Sequence, residues 1–149
     1  DTIAQFLSSP FRVSTRVDRM ASVLIGAPLI AKRGHDIISD GTIPGVIQVP
    51  GSGQPLILMA DGQTTGGYPK IATIIGADLR RVAQTPPGKN LSFAAVTPEE
   101  AEAVLLSHRN QHQKILKAIC LAKFGHNYTA RLYGANLISG VWGRDTGKE

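Results

Sequence analysis

The chain has 149 residues, 42% of them hydrophobic, which is enough for one domain with a core, and its 16 glycines and 9 prolines favour short connections over a helical bundle. A formal charge of +5 and a pI near 9.7 point to anionic partners, but the basic residues are dispersed, only 5% of the chain is aromatic, and no nucleic-acid-binding motif accompanies them. The lone Cys120 excludes an internal disulfide and a cysteine-based zinc site, no apolar run is long enough to span a bilayer, and the first residues lack the pattern of a signal peptide, so the expected compartment is the cytoplasm.

In chain order, Asp1–Leu7 reads as the end of a helix stopped by Ser8, Ser9 and Pro10. Residues Phe11–Val17 alternate apolar and polar, which predicts a strand with one solvated face, and Met20–Ile25 is a second strand closed by Gly26-Ala27-Pro28. The stretch from 31 to 45 is a connection punctuated by Gly34, Gly41, Pro44 and Gly45. Val46–Val49 and Leu56–Ala60 are short strands, and Ile71–Ile75, rich in β-branched residues, is expected to be a fully buried one. Asp78 is placed to cap a short helix reaching about Gln84, and Leu91–Val96 is one more strand.

The clearest local signal is Thr97-Pro98-Glu99-Glu100. Thr97 can cap a helix, Pro98 suits the first helical position and Glu100 closes a capping box. The helix, taken as 97–125, carries Ala101, Val104, Leu105, Ile115, Ile119 and Ala122, with Cys120 as a small buried hydrophobe. A tail over 126–149 offers Leu132, Leu137, Ile138, Val141 and Trp142 for docking.

Between two apolar runs lies the densest polar chemistry in the chain, Asp61-Gly62-Gln63-Thr64-Thr65-Gly66-Gly67-Tyr68-Pro69-Lys70. One reading is a long hairpin, because Gly, Thr and Asp are turn residues. The other is a binding loop, in which Gly62, Gly66 and Gly67 free the backbone and the amides at Thr65, Gly66 and Gly67 form an anion-binding nest. A P-loop is excluded, since Lys70 runs on into Ile71-Ala72 rather than opening a helix after Gly-Lys-Ser/Thr. Arg16-Val17-Asp18-Arg19 is either a structural ion pair or a clamp in which Arg16 or Arg19 holds an anionic group. Arg33-Gly34-His35-Asp36 with Ser39 and Asp40 reads as loop-anchoring hydrogen bonds, and His108 with His112 as a solvated helix face rather than a metal site.

The stretch PGSGQPLILMADGQTTGGYPKIATIIGADL resembles the signature of the biotin-dependent carboxyltransferase family, which includes allophanate hydrolase subunit 2 and the C subunit of bacterial 5-oxoprolinase. FLSSPFRVSTRVDRM, RGHDIISDGTIPGVIQVP and LRRVAQTPPGKNLSFAAVTPEEAEAVL are similar to neighbouring family blocks, in the right order, and Ala135–Val141 resembles a closing segment. Thr15, Val17 and the residues from Trp142 onward depart from the pattern. The resemblance implies a mostly β fold with one long C-terminal helix, a partial cyclophilin-like β-barrel. It also implies that 1–149 is the C-terminal part of a carboxyltransferase domain, whose missing half would leave apolar surface to be covered.

It further implies an enzyme subunit that handles a small amide or lactam, of the 5-oxoproline or urea and allophanate type. The expected partner is a sister protein resembling allophanate hydrolase subunit 1 or the B subunit of 5-oxoprolinase, with biotin (as carboxybiotin) or ATP reached through such partners. On this reading Asp61, Thr64, Thr65 and Tyr68 are the candidate catalytic residues, and Gln63, Gly66, Gly67, Lys70, Arg16 and Arg19 the substrate-binding ones. Asp61 would orient or deprotonate an N–H, Thr64 and Thr65 would bind a developing oxyanion, and Lys70 with Arg16 or Arg19 would offset a carboxylate. The alternative is a non-catalytic binding module of the kinase-inhibitor antagonist type, and the chain on its own would be inactive on either reading if it is a fragment.

Overall fold

The structure is a computed structural model that describes residues 2–30, 34 and 36–121. Helix α1 (Thr2–Ser8) leads into strands β1 (Phe11–Val17), β2 (Ala21–Ile25), β3 (Asp40–Gly41), β4 (Val46–Gln48), β5 (Leu56–Leu58), β6 (Thr65–Gly66) and β7 (Lys70–Thr73). Helix α2 (Gly76–Ala83), strand β8 (Asn90–Leu91) and helix α3 (Pro98–Leu121) follow. Six strands form one antiparallel sheet in the order β7-β4-β5-β2-β1-β8, curled into half a barrel, and β3 with β6 makes a separate two-stranded ribbon. The mostly β fold with a C-terminal helix is the one expected.

The core lies on one face of the sheet. Phe11, Val13, Leu24, Ile47 and Ile57 project from it, and α1 and α2 cover them with Phe6 and Val82. A seven-residue helix cannot persist alone in water. α1 is held by Phe6, 2% exposed and 4.6 Å from the stacked ring of Phe93, and by bonds from Thr2 Oγ1 to the Ile30 carbonyl and from Gln5 Nε2 to that of Pro28. β1 bulges between Val13 and Val17, where the Ser14 hydroxyl accepts the Arg16 N–H instead of leaving it to the ladder.

Several expectations shift at element edges. The fully buried strand is β4, flanked on both sides, whereas β7 is an edge strand that is only half-buried. β8 pairs over two residues, not across Leu91–Val96, because Phe11 and Arg12 are the only strand positions opposite it. Asp78 is no cap: α2 starts at Gly76 from an extended Ile75, and Asp78 sits in its first turn, paired with Arg81 at 3.1 Å. Gly53, at φ 71°, is the left-handed residue of the turn before β5, where its N–H reaches the Pro50 carbonyl at 2.9 Å.

The capping box forms as read. The Glu100 N–H donates to Thr97 Oγ1 at 3.2 Å, and the Thr97 N–H to Glu100 Oε2 at 2.8 Å. The apolar residues of α3 do not enter a core, however. Val104 and Leu105 are 38% and 54% exposed. From Arg109 onward the chain forms a second unit, of which the remaining turns of α3 are described, with Ile115 and Ile119 again about half-exposed. The Cys120 side chain, the last helical residues to 125 and the tail lie outside what the structure describes.

Phe6→Ala is expected to cost about 3–5 kcal/mol, read as a lower urea midpoint, because it removes the anchor of α1 from a packed aromatic cluster. An unchanged midpoint would mean that α1 adds nothing to the core. Thr97→Ala should cost only about 1 kcal/mol, the usual loss for an N-cap.

Candidate functional site

The polar loop is not a hairpin. Its flanking strands β5 and β7 lie on opposite sides of β4 and do not pair with each other. The loop therefore crosses over β4, and on the way it folds against the segment that precedes β4. Asp40 pairs with Gly66 and Gly41 with Thr65, and the Thr42 N–H donates to the Thr64 carbonyl at 2.9 Å. The Thr42 hydroxyl donates to the Gln63 carbonyl, and the Ile37 N–H to that of Gly67 at 2.8 Å. At the start of the loop, the Asp61 N–H donates to the carbonyl of Arg19, in the β1–β2 turn, at 2.8 Å.

Two ion pairs bracket this ribbon. The Arg19 guanidinium donates through Nε to Asp61 Oδ2 at 2.6 Å and through Nη2 to Oδ1 at 3.1 Å, a two-point clamp. Lys70 Nζ donates to Asp40 Oδ2 at 2.6 Å. Hydrogen bonding from Arg19, reinforced by its charge, holds the Asp61 carboxyl below the usual carboxylate range, and Lys70, helped by the Gly41 N–H, does the same for Asp40. Asp18 is lowered by the N–H groups of Ala21 and Met20, which it accepts in the β1–β2 turn. Asp61 and Asp40 are well exposed, so these pairs add little stability. Their effect is to keep both carboxylates ionised and both cations engaged.

The glycines serve sterics rather than unusual backbone angles. Neither Gly62, Gly66 nor Gly67 has a left-handed φ, so the anion nest expected at Thr65–Gly67 does not form. The Gln48 side chain lies against Gly66. A Cβ there would sit 2.4 Å from Gln48 Nε2 and 3.2 Å from Gln63 Nε2. Gln48 is 0% exposed, and among the described residues neither Oε1 nor Nε2 has a hydrogen-bond partner. Leaving a buried polar group unsatisfied costs about 1–3 kcal/mol. Side chains alternate along a strand, so Ile47 enters the core while Gln48 points the other way, under the ribbon.

The structure thus brings Asp61, Gln63, Thr64, Thr65, Gly66, Gly67, Tyr68 and Lys70 together with Arg19 around the ribbon. Thr64 and Thr65 are exposed, and Tyr68 is 38% exposed. Arg16 is not brought in: it stands exposed at the bulged end of β1, and among the described residues it makes no side-chain bond to any other candidate. Sequence reasoning misses Asp40, Thr42 and Gln48 as site residues. The legible signal for Gln48 is a lone amide inside the apolar run Val46-Ile47-Gln48-Val49. Asp40 reads locally as a loop anchor, and its actual partner, Lys70, is thirty residues away. Arg33 and His35 of that cluster lie outside the described residues.

A groove of about 700 Å³ opens on the core face, lined by residues such as Phe6, Ile47, Ile71 and Val82, and none of the ten candidates lines it. Its lining is largely apolar, with Asp78 and Arg81 as its charged members. Among the described residues, no three His, Cys, Asp or Glu side chains converge as a metal would need, and no helix is long and apolar enough to cross a membrane. The ribbon does not suit ATP or carboxybiotin either. It has no left-handed glycine to cradle a phosphate.

The family model described as carboxyltransferase domain, subdomain A and B, matches residues 1–95, a span that includes the whole ribbon and its ion pairs. The chain is 46% identical over 96 residues to the C subunit of Escherichia coli 5-oxoprolinase, covering 64% of this chain and 31% of that protein. It is 50% identical over 84 residues to the C subunit of Haemophilus influenzae 5-oxoprolinase, covering 56% and 27%. The chain therefore spans less than a third of the length of either relative. Among solved structures, TTHA0988 superposes with a TM-score of 0.57 at 37% identity, over 63% of this chain and 18% of that one. Kluyveromyces lactis urea carboxylase does so at 0.61 and 24% identity, over 66% and 10%, a likeness of fold alone. With the family match extending over most of the sequence, the chain belongs to the carboxyltransferase domain family, to its subdomains A and B.

Proposed function

We propose that this chain is part of a subunit of a 5-oxoprolinase-type enzyme complex and contributes the ribbon as one wall of a site for a small lactam or amide. The observation that carries the reading is that the family match and the two relatives, both named as C subunits of 5-oxoprolinase, coincide with the stretch where the ribbon gathers its polar groups. Asp61, kept ionised by Arg19, is a weak base, so it orients a substrate N–H rather than removing the proton. The hydroxyls of Thr64 and Thr65 donate to the oxygen that gains charge, Gln63 and Tyr68 position the ring, and Gly66 and Gly67 keep the main chain bare beside it. Lys70 offsets the substrate carboxylate. Arg16 is left out of the site. Hydrolysis, ATP and any carboxyl carrier belong to partner proteins resembling the B subunit of 5-oxoprolinase or allophanate hydrolase subunit 1, in the cytoplasm.

The second reading, a regulatory protein-binding module, draws on a different observation. Ile37, Ile38 and Ile43 flank β3 and are 43%, 93% and 62% exposed, which suits a protein contact beside the ribbon. A pull-down of the full-length protein with its partner subunits separates the two. Association with ATP-dependent turnover of 5-oxoproline supports the enzyme, whereas association without turnover of any small amide supports the module.

In the assembled complex, Asp61→Ala is expected to lower kcat about 100-fold, the scale of a misoriented reactant. Full turnover in that variant would remove Asp61 from the site. Arg19→Ala tests the charge coupling. Arg19 lowers the Asp61 pKa, so its loss raises that pKa, and the acid-side fall in activity should begin at a higher pH than in the wild type. Superimposable pH profiles would show that the Arg19–Asp61 pair has no part in turnover.

A further inference from the structure

We infer that Gln48 is the residue that reads the lactam edge of the substrate, exposed for that purpose when the β3–β6 ribbon lifts. This rests on the lactam reading above and adds the specificity-determining residue to it. Gln48 is wholly buried, yet its Oε1 and Nε2 both lack partners among the described residues, and its amide lies against Gly66. Such a side chain in mid-sheet is costly to keep, and an apolar residue of similar size would pack the position without that cost. A primary amide presents a C=O and an N–H side by side. The complementary surface is a cis amide, which a lactam ring enforces: its C=O accepts from Nε2 while its N–H donates to Oε1. An open-chain secondary amide, being trans, cannot make both bonds from one edge.

The neighbours of Gln48 fit the rest of such a ligand. Gln48 pairs across the sheet with Lys70, so the two side chains share a face with Cβ atoms roughly 4.5–5.5 Å apart. A lactam bearing a carboxylate, as 5-oxoproline does, places its two recognition groups on that scale. The cover is light. The ribbon has two residues per strand, and both ion pairs that hold it are exposed: Asp40 of the Lys70 pair is 74% exposed, and Arg19 and Asp61, which also share a backbone bond, are 81% and 49% exposed. Lys70 can exchange that carboxylate for the carboxylate of the substrate with little net loss. In this arrangement Gly66 covers the amide when the ribbon is closed, and a Cβ there would push the Gln48 amide aside.

The test uses the full-length protein in its complete complex, with Gln48→Leu and the near-isosteric Gln48→Met, either of which suffices if the other fails to assemble. Turnover of 5-oxoproline and inhibition by its N-methyl analogue, which lacks the N–H, are measured for each. The wild type should bind the N-methyl compound at least about tenfold more weakly than 5-oxoproline. The variants should melt no lower than the wild type, show a KM for 5-oxoproline raised about tenfold or more, and lose the discrimination between the two ligands. Variants that keep the wild-type KM and discrimination would overturn the assignment while leaving the lactam reading intact. A wild-type complex that turns over no lactam would instead overturn the reading beneath it, and with it this role for Gln48.

Discussion

β4 has three residues, and all of them are buried. It lies between β7 and β5, so the loop joining those two strands must pass over it, and the alternation of side chains sends Ile47 into the core and Gln48 toward that loop. Core and candidate site are thus the two faces of one short strand. Any shift of register that moved Gln48 would drag Ile47 out of the cluster with Ile57 and Leu24.

Gly66 of the ribbon lies directly against the Gln48 amide. With the Gly66 backbone against the amide, the ribbon brings Asp40 within reach of Lys70. The backbone bond from Asp61 to Arg19 similarly aligns their side chains for a two-point pair. The charges of the site are consequently set by chain crossings, not by sequence neighbours. The Arg19 guanidinium holds the Asp61 carboxyl below the usual carboxylate range, which makes it a weaker base.

Exposed apolar residues gather in two other places, beside β3 and along α3. Both lie on a chain that covers less than a third of the length of its named relatives. The six-stranded sheet curls but does not close.

Local pattern was enough to find β1, β2 and β4 and the Thr97–Glu100 cap, because alternation and capping depend on residues a few positions apart. The density of polar residues between Asp61 and Lys70 singled out that loop as the candidate, and the ordered blocks around it marked the family. Sequence alone could not show that β5 and β7 are separated by β4, since strand order is set by contacts between distant segments. For the same reason it could not pair Lys70 with Asp40 or Asp61 with Arg19, nor assign the glycines to close packing instead of left-handed turns. Gln48 shows the division most plainly. Its polarity in an apolar run was written in the chain, but only the folded ribbon made it a buried amide with two unused hydrogen-bonding groups, because burial and the loss of water are properties of the assembled layers.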